Sequence, residues 1–307
     1  MKFTIATAVH EIVSTRLADC TNLQHATPVQ SASERLHATR RGQARAIALA
    51  LLLGFCNAVA ADGFTIGGSG AALGTMRLLA KEFTARNPDI AVTIMPNLGS
   101  GGGIRAVLGG AIGLAVTSRA LEESEKKLGA VETEYARTPF VFAVSTQSRV
   151  TAVTARELAD IYAGKMAAWI DGSPVRVVLR PPSETDTRIV ENISADIRRG
   201  ILAANARPGV RFSVTDQDAA NDIEKIPGAI GPSTLTLILS ENRALRALKL
   251  DGKDPTPMNA ASGTYPYHKR LFLVTGAKRP VPVERFIAFV QSPAGRKILV
   301  SNGHWIP

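Results

Sequence analysis

The sequence predicts a layered α/β fold, and three observations carry that expectation. From Asp62 onward, short apolar runs alternate with stretches of helical periodicity. Three of those runs end in small, hydroxyl-bearing loops at which a helix or turn begins. Neither an internal repeat nor a low-complexity linker divides the chain, so two interleaved lobes fit better than two domains in series.

The elements follow in order. Phe64-Thr65-Ile66 reads as a strand ending in Gly67-Gly68-Ser69-Gly70, and the next helix carries Leu73, Met76, Leu79, Ala80 and Phe83 on one face before closing at Asn87-Pro88. Ile90 to Ile94 is the second strand, running into Leu98-Gly99-Ser100-Gly101-Gly102-Gly103 and a short helix through Ile104, Val107 and Leu108. Ile112 to Val116 is strand-like and ends at Thr117-Ser118-Arg119; Glu122 to Leu128 is a charged, exposed helix. Phe140 to Val144 is a buried strand and Val153 to Tyr162 a helix. Val175 to Leu179 is a strand leading into Arg180-Pro181-Pro182-Ser183-Glu184-Thr185-Asp186-Thr187, after which Ile189, Ile193 and Ile197 continue at helical spacing. Gly228 to Pro232 is a return segment, Leu271 to Val274 a late strand, and Val283 to Val290 the opening of the last helix.

The first 60 residues stand apart. Arg40-Arg41 and Arg45 precede the apolar run Ala46 to Phe55, and small residues follow in Asn57 to Ala61. A basic flank, about ten apolar residues and an Ala-x-Ala site describe a secretory signal peptide, cleaved after Ala60 or Ala61. The run is shorter than the ~20 residues that span a bilayer. Removing residues 1–60 takes both cysteines, Cys20 and Cys56, and three of the five histidines, leaving His268 and His304. Disulfides, thiolate chemistry and multi-histidine metal sites lose their raw material. The net charge of +10 falls to about +7, because the leader holds six basic and three acidic residues. The remaining basic residues are scattered, and aromatics are only 5% of the chain, which argues against a nucleic-acid surface.

The three loops could hold an anion. Backbone N–H groups at a helix start lack intrahelical partners, and the helix dipole favours negative charge there. Ser69-Gly70, Ser100-Gly101-Gly102 and Ser183 through Thr187, a run that includes Glu184, each supply such an end. Ser118-Arg119 adds a hydroxyl and a guanidinium, and Arg180 adds a fork that suits a tetrahedral anion. Taken singly, a Gly-Ser-Gly between strand and helix is an ordinary turn, and Arg119 reads equally as a surface residue. The first loop lacks the lysine-hydroxyl ending of a phosphate-binding P-loop and the spacing of a dinucleotide fingerprint. Paired carboxylates for acid–base work do not stand out.

Several stretches resemble the phosphate-binding periplasmic protein family. They are Gly68-Ser69-Gly70-Ala71, Gly99 to Ile104, Thr117 to Leu121, Leu158 to Lys165 with Trp169, Gly228 to Gly231, and the tail Phe286 through Gly303. The resemblance implies a two-lobed periplasmic binding protein of type II, each lobe a sheet flanked by helices, the lobes joined by two crossover strands. It implies lobe one at 62–144 plus 231–307 and lobe two at 145–230. It further implies a monomer without cofactor or metal that captures inorganic phosphate in the cleft and passes it to an inner-membrane ABC permease. The binding role carries over to the Ala72 and Leu73 backbone, Ser100 and Ser118 on one lobe, and Arg180, Ser183 and Thr185 on the other.

Three departures from the family pattern matter. Ala72 stands where a hydroxyl residue can occur; Ser118 stands where some members carry an aspartate that accepts the phosphate proton; Glu184 replaces a glycine. Glu184 or Asp186 could take over that acceptor role, or both could face solvent. Sulfate, molybdate, an organic phosphate, and a sensor without transport remain alternatives. A phosphatase would need metal ligands and histidines that the chain lacks.

Overall fold

The computed structural model describes residues 62–207 and 211–307. The leader, its apolar run, the cleavage site and both cysteines lie outside the described residues. β1 (Asp62–Gly68) leads into α1 (Gly70–Arg86), β2 (Ile90–Asn97) into α2 (Gly99–Leu108), and β3 (Leu114–Thr117) into the short α3 (Glu123–Lys127). β4 (Val131–Ser145) is followed by β5 (Ala152–Val153), α4 (Ala155–Ala163), β6 (Arg176–Val177), α5 (Thr185–Glu191), α6 (Ala195–Asn205) and α7 (Asp216–Lys225). Then come β7 (Ala229–Thr234), α8 (Leu235–Ser240), β8 (Leu245–Ala247), β9 (Lys249–Leu250), α9 (Pro257–Ala261) and β10 (His268–Thr275). α10 (Val281–Gln291) and α11 (Pro293–Ser301) complete the chain.

One mixed sheet runs β2-β1-β3-β10-β4-β7-β6, with β8 also on β4; β5 and β9 form a separate parallel pair. β1 is parallel to β2 and β3, as strand–helix–strand crossovers require, while β10 enters antiparallel between β3 and β4. The 15-residue β4 serves both halves of the sheet. Its residues up to Pro139 pair with β10, and Phe140 to Ser145 pair with β7 and β8.

The apolar clusters change over at the same places. Two clusters draw on residues between Phe64 and Ala136 and between Leu271 and Leu299. The other two draw on residues from Phe140 to Tyr265. α1 presents the face its periodicity predicts: Leu73, Met76, Leu79 and Phe83 are buried, and the Phe83 ring meets Phe286 edge to face at 5.2 Å. Each such side chain is worth about 1.5–3 kcal/mol of burial. α1 stops at Asn87, whose N–H donates to the Phe83 carbonyl, just before Pro88.

Three local expectations are corrected. Ile189 and Ile197 lie on two different helices with Ile193 in the turn between them, because Ser194 accepts from the Ile197 N–H and starts α6 afresh. Val283 to Val290 belongs to α10, which is not the last helix: Ser292 caps α11, and Pro293 suits its first position. The segment Val175 to Leu179 is paired as a strand only at Arg176 and Val177, with a single bridge from Leu179 to Phe212.

Candidate functional site

β1 ends at Gly68, whose φ of +131° and whose Cβ, if present, 2.0 Å from the Val116 carbonyl admit only glycine. That close approach lets the Ser69 N–H donate to the same carbonyl at 2.8 Å. Ser69 is the N-cap of α1, but its hydroxyl makes no capping bond; it donates instead to Ser118 Oγ at 3.2 Å. Ser100, in the first turn of α2, accepts from the Ser118 N–H at 3.0 Å and lies 3.3 Å from Ser118 Oγ. Three strand ends thus bring Ser69, Ser100 and Ser118 together at the starts of two helices. These are groups of the kind that bind oxyanions: short hydroxyl donors beside unpaired N–H groups.

The other side of the site is built on Arg180, which is 4% exposed. Its guanidinium donates to the Ser213 carbonyl, to Asp186 Oδ2 at 3.4 Å and to Glu184 Oε2 at 3.5 Å, and it lies 3.8 Å from Asp216 Oδ2. Lys269, on β10 and 2% exposed, pairs with Asp186 and lies 3.4 Å from Asp216 Oδ1. The two sides meet at Gly70. A Cβ there would come within 2.3 Å of Asn97 Nδ2, 2.4 Å of Gln217 Oε1 and 2.8 Å of Asp216 Oδ2. Asn97 donates to Asp216 and Gln217, and Gln217 donates to the Gly70 carbonyl at 3.0 Å.

The remaining predicted residues are placed variously. Ala72 and Leu73 bury their side chains in the core, and the Ala72 N–H donates to the Ser69 carbonyl. Gly101 lies on α2 behind Ser100. Arg119 is clamped by Glu125 in two bonds of 2.8 and 2.6 Å; the hydrogen bond to Glu125 raises its pKa and lowers that of Glu125. Ser183 is exposed, and Thr185 opens α5. The Thr187 hydroxyl ties the loop by donating to the Arg180 and Pro181 carbonyls. Asp186 is buried against Lys269 and does not face solvent; Glu184 is the N-cap of α5, its side chain 34% exposed.

Four residues of the site were not anticipated: Asn97, Asp216, Gln217 and Lys269. Lys269 could have been noticed as a cation two residues before the apolar run Leu271 to Val274. Thr215-Asp216-Gln217-Asp218 could have been noticed as a capping box, which it forms.

Burial opposes the charge on Lys269, but the carboxylates of Asp186 and Asp216 outweigh it and hold its pKa above the ordinary value. Burial likewise opposes the Asp216 carboxylate, and Lys269 and Arg180 outweigh it, so its pKa is lowered. Glu184 goes the other way: burial, aided by Asp216 and Asp186, lifts its pKa against the pull of Arg180. Void volume does not mark this site. Beside Arg180, Tyr162 and Thr187 only about 10 Å³ is open, whereas a cavity of about 580 Å³ lies between α4 and α6, lined by Arg156, Asp160, Lys165 and Arg199. The convergent donors, not the volume of a hollow, identify the site.

Comparison with known proteins agrees with this architecture. The chain is 25% identical over 257 residues to the phosphate-binding protein PstS of Bacillus subtilis, covering 81% of each. It superposes with a TM-score of 0.68, at 23% identity, on a Clostridium perfringens protein provisionally assigned as a phosphate ABC transporter substrate-binding protein and solved with bound phosphate. That alignment covers 80% of this chain and all of the other. An ABC-type phosphate transport receptor from Vibrio cholerae aligns at 22% identity with a TM-score of 0.56, covering 80% of this chain and all of that one. The fold is α/β, of the type II periplasmic binding-protein kind. A family model described as the PBP superfamily domain matches residues 33–294, most of the chain, and on that match the protein belongs to the PBP superfamily.

Proposed function

We propose that this chain is an exported, monomeric solute-binding protein that captures inorganic phosphate between two lobes and presents it to an inner-membrane ABC permease. The observation that carries the reading is the meeting of Ser69, Ser100 and Ser118 at the starts of α1 and α2, with Arg180 and Lys269 across the junction at Gly70. The phosphate named for the Bacillus and Clostridium relatives supports the choice of ligand. The lobes in this reading are 62–144 plus 231–307 and 145–230, and the change-over of the apolar clusters near residues 140 and 268 supports a division into two such bodies. Export through the N-terminal leader fits the absence, among the described residues, of any helix long and apolar enough to cross a membrane. Ser118 leaves the serine loops without a carboxylate of their own, which keeps sulfate or molybdate as the second reading.

Calorimetric titration of the exported protein with phosphate, sulfate and molybdate tests the reading. Saturable phosphate binding that weakens at least tenfold in Ser118→Ala is expected. Absence of binding to all three anions would refute it.

A further inference from the structure

Arg180 and Lys269 already face carboxylates from within the chain. Asp216, the first residue of α7, sends Oδ2 to Asn97 Nδ2 at 3.2 Å and to within 3.8 Å of the Arg180 guanidinium. Its Oδ1 lies 3.4 Å from Lys269 Nζ. The same carboxylate lies against Gly70, the opening residue of α1. A guanidinium, an ammonium, a side-chain amide and a helix start are what an entering oxyanion would use. Asp186 takes a further face of both cations, and Glu184 faces Arg180 from the solvent side. Three carboxylates therefore face two cations before any ligand arrives.

We infer that Asp216 is a resident competitor for the anion, a specificity-determining carboxylate that occupies the oxyanion position and that the ligand must displace. This inference rests on the phosphate-capture reading above. Displacement needs only a side-chain rotation, because the backbone of α7 is held separately. Thr215 and Asp218 close a capping box around its first turn, and Ser213 donates to Asp222 from the preceding segment. Coulombic logic sets the direction of the effect. An anion entering beside an ionised Asp216 meets like charge at close range, whereas one entering after its removal gains the free faces of Arg180 and Lys269. The site in its resident state therefore selects against weakly binding anions, and Asp216 sets that threshold.

The test is calorimetric titration of phosphate into the wild-type chain, Asp216→Asn and Ser118→Ala, with folding checked by circular dichroism. Asp216→Asn is expected to bind phosphate at least tenfold more tightly than wild type. Equal or weaker binding by the folded variant overturns the inference, and it does so without touching phosphate capture if wild type binds and Ser118→Ala binds more weakly. Absence of binding by both wild type and Asp216→Asn would sink the two together. Should Asp216→Asn fail to fold, hydrogen–deuterium exchange of the wild type decides. Phosphate should protect α1 and α2 while leaving exchange in the first turn of α7 unchanged, because only the Asp216 side chain turns away. Increased protection of that turn would show that Asp216 stays in place and that the inference is wrong.

Discussion

Lys269 occupies a strand whose next residues, Leu271 and Leu273, are part of the core, and its own side chain is almost fully enclosed. An ammonium there keeps its charge only because Asp186 and Asp216 sit against it, and their attraction exceeds the cost of burial. Removing one member of such a group strands the others. Lys269→Met should therefore cost about 3–5 kcal/mol in urea unfolding, since two buried carboxylates lose their common cation. A loss below about 1 kcal/mol would mean that the carboxylates are not jointly dependent on Lys269. At this scale little was legible beforehand. Ser69, Ser100, Ser118 and Arg180 were expected from residue type and loop position, and the structure brings the three serines together. Asp216 and Lys269 were not, because nothing in either local stretch says that an aspartate 53 positions earlier will meet the lysine.

At the scale of elements, α4 shows how local chemistry sets a boundary. Thr154 accepts from the Glu157 N–H at 3.1 Å, and Glu157 reaches back to the Thr154 N–H at 2.7 Å, so both ends of a capping box are closed. At the other end Gly164 takes a left-handed turn with φ of 74°. Leu158, Ile161 and Tyr162 fall on the buried face between these signals. Thr154→Ala should lower stability by ~1 kcal/mol in chemical denaturation, and Thr154→Ser should restore most of it. A Thr154→Ala variant as stable as wild type would show that the box contributes nothing. α4 was legible because caps and period agree within ten residues. α5 and α6 were not separated, because the isoleucine spacing runs through the break at Asn192 to Ser194, and periodicity alone is blind to a helix that stops and restarts in phase.

Across the whole molecule, a chain of hydrogen bonds joins α1, α8 and the C-terminal tail. Thr75 and Thr236 share a bond of 2.9 Å, Thr236 meets His304 Nε2 at 3.1 Å, and His304 Nδ1 lies 2.9 Å from the Leu299 carbonyl. A carbonyl can only accept, so Nδ1 carries the proton and Nε2 accepts from Thr236. Burial disfavours the imidazolium and lowers the pKa of His304 from 6.5 to about 4. Below pH 6.5 the unfolded chain binds a proton that the folded chain refuses, so stability falls as pH drops from 6.5 toward 4. The loss is on the order of 3 kcal/mol at the acid end. Melting temperature measured against pH should decline through that window, and His304→Asn should flatten the decline; an unchanged slope in the variant would exclude His304 as its source. Asp216, with its lowered pKa, loses its contribution only at still more acid pH and in the same direction.

The sequence by itself determined the α/β order, the glycine and serine loops at three strand ends, and the faces that helices such as α1 and α4 bury. Those features depend on residues within a few positions of one another, where period, cap and turn chemistry act directly. Only the tertiary structure decided what stands opposite those loops. The Arg180, Asp186, Asp216 and Lys269 group is assembled from one loop-and-helix segment, a second helix and a strand, which are far apart in the chain. Burial of its charges is tolerable only because all four are brought together and offset one another. That condition is a property of packing, and so the threshold an anion must overcome was written in the fold rather than in any motif.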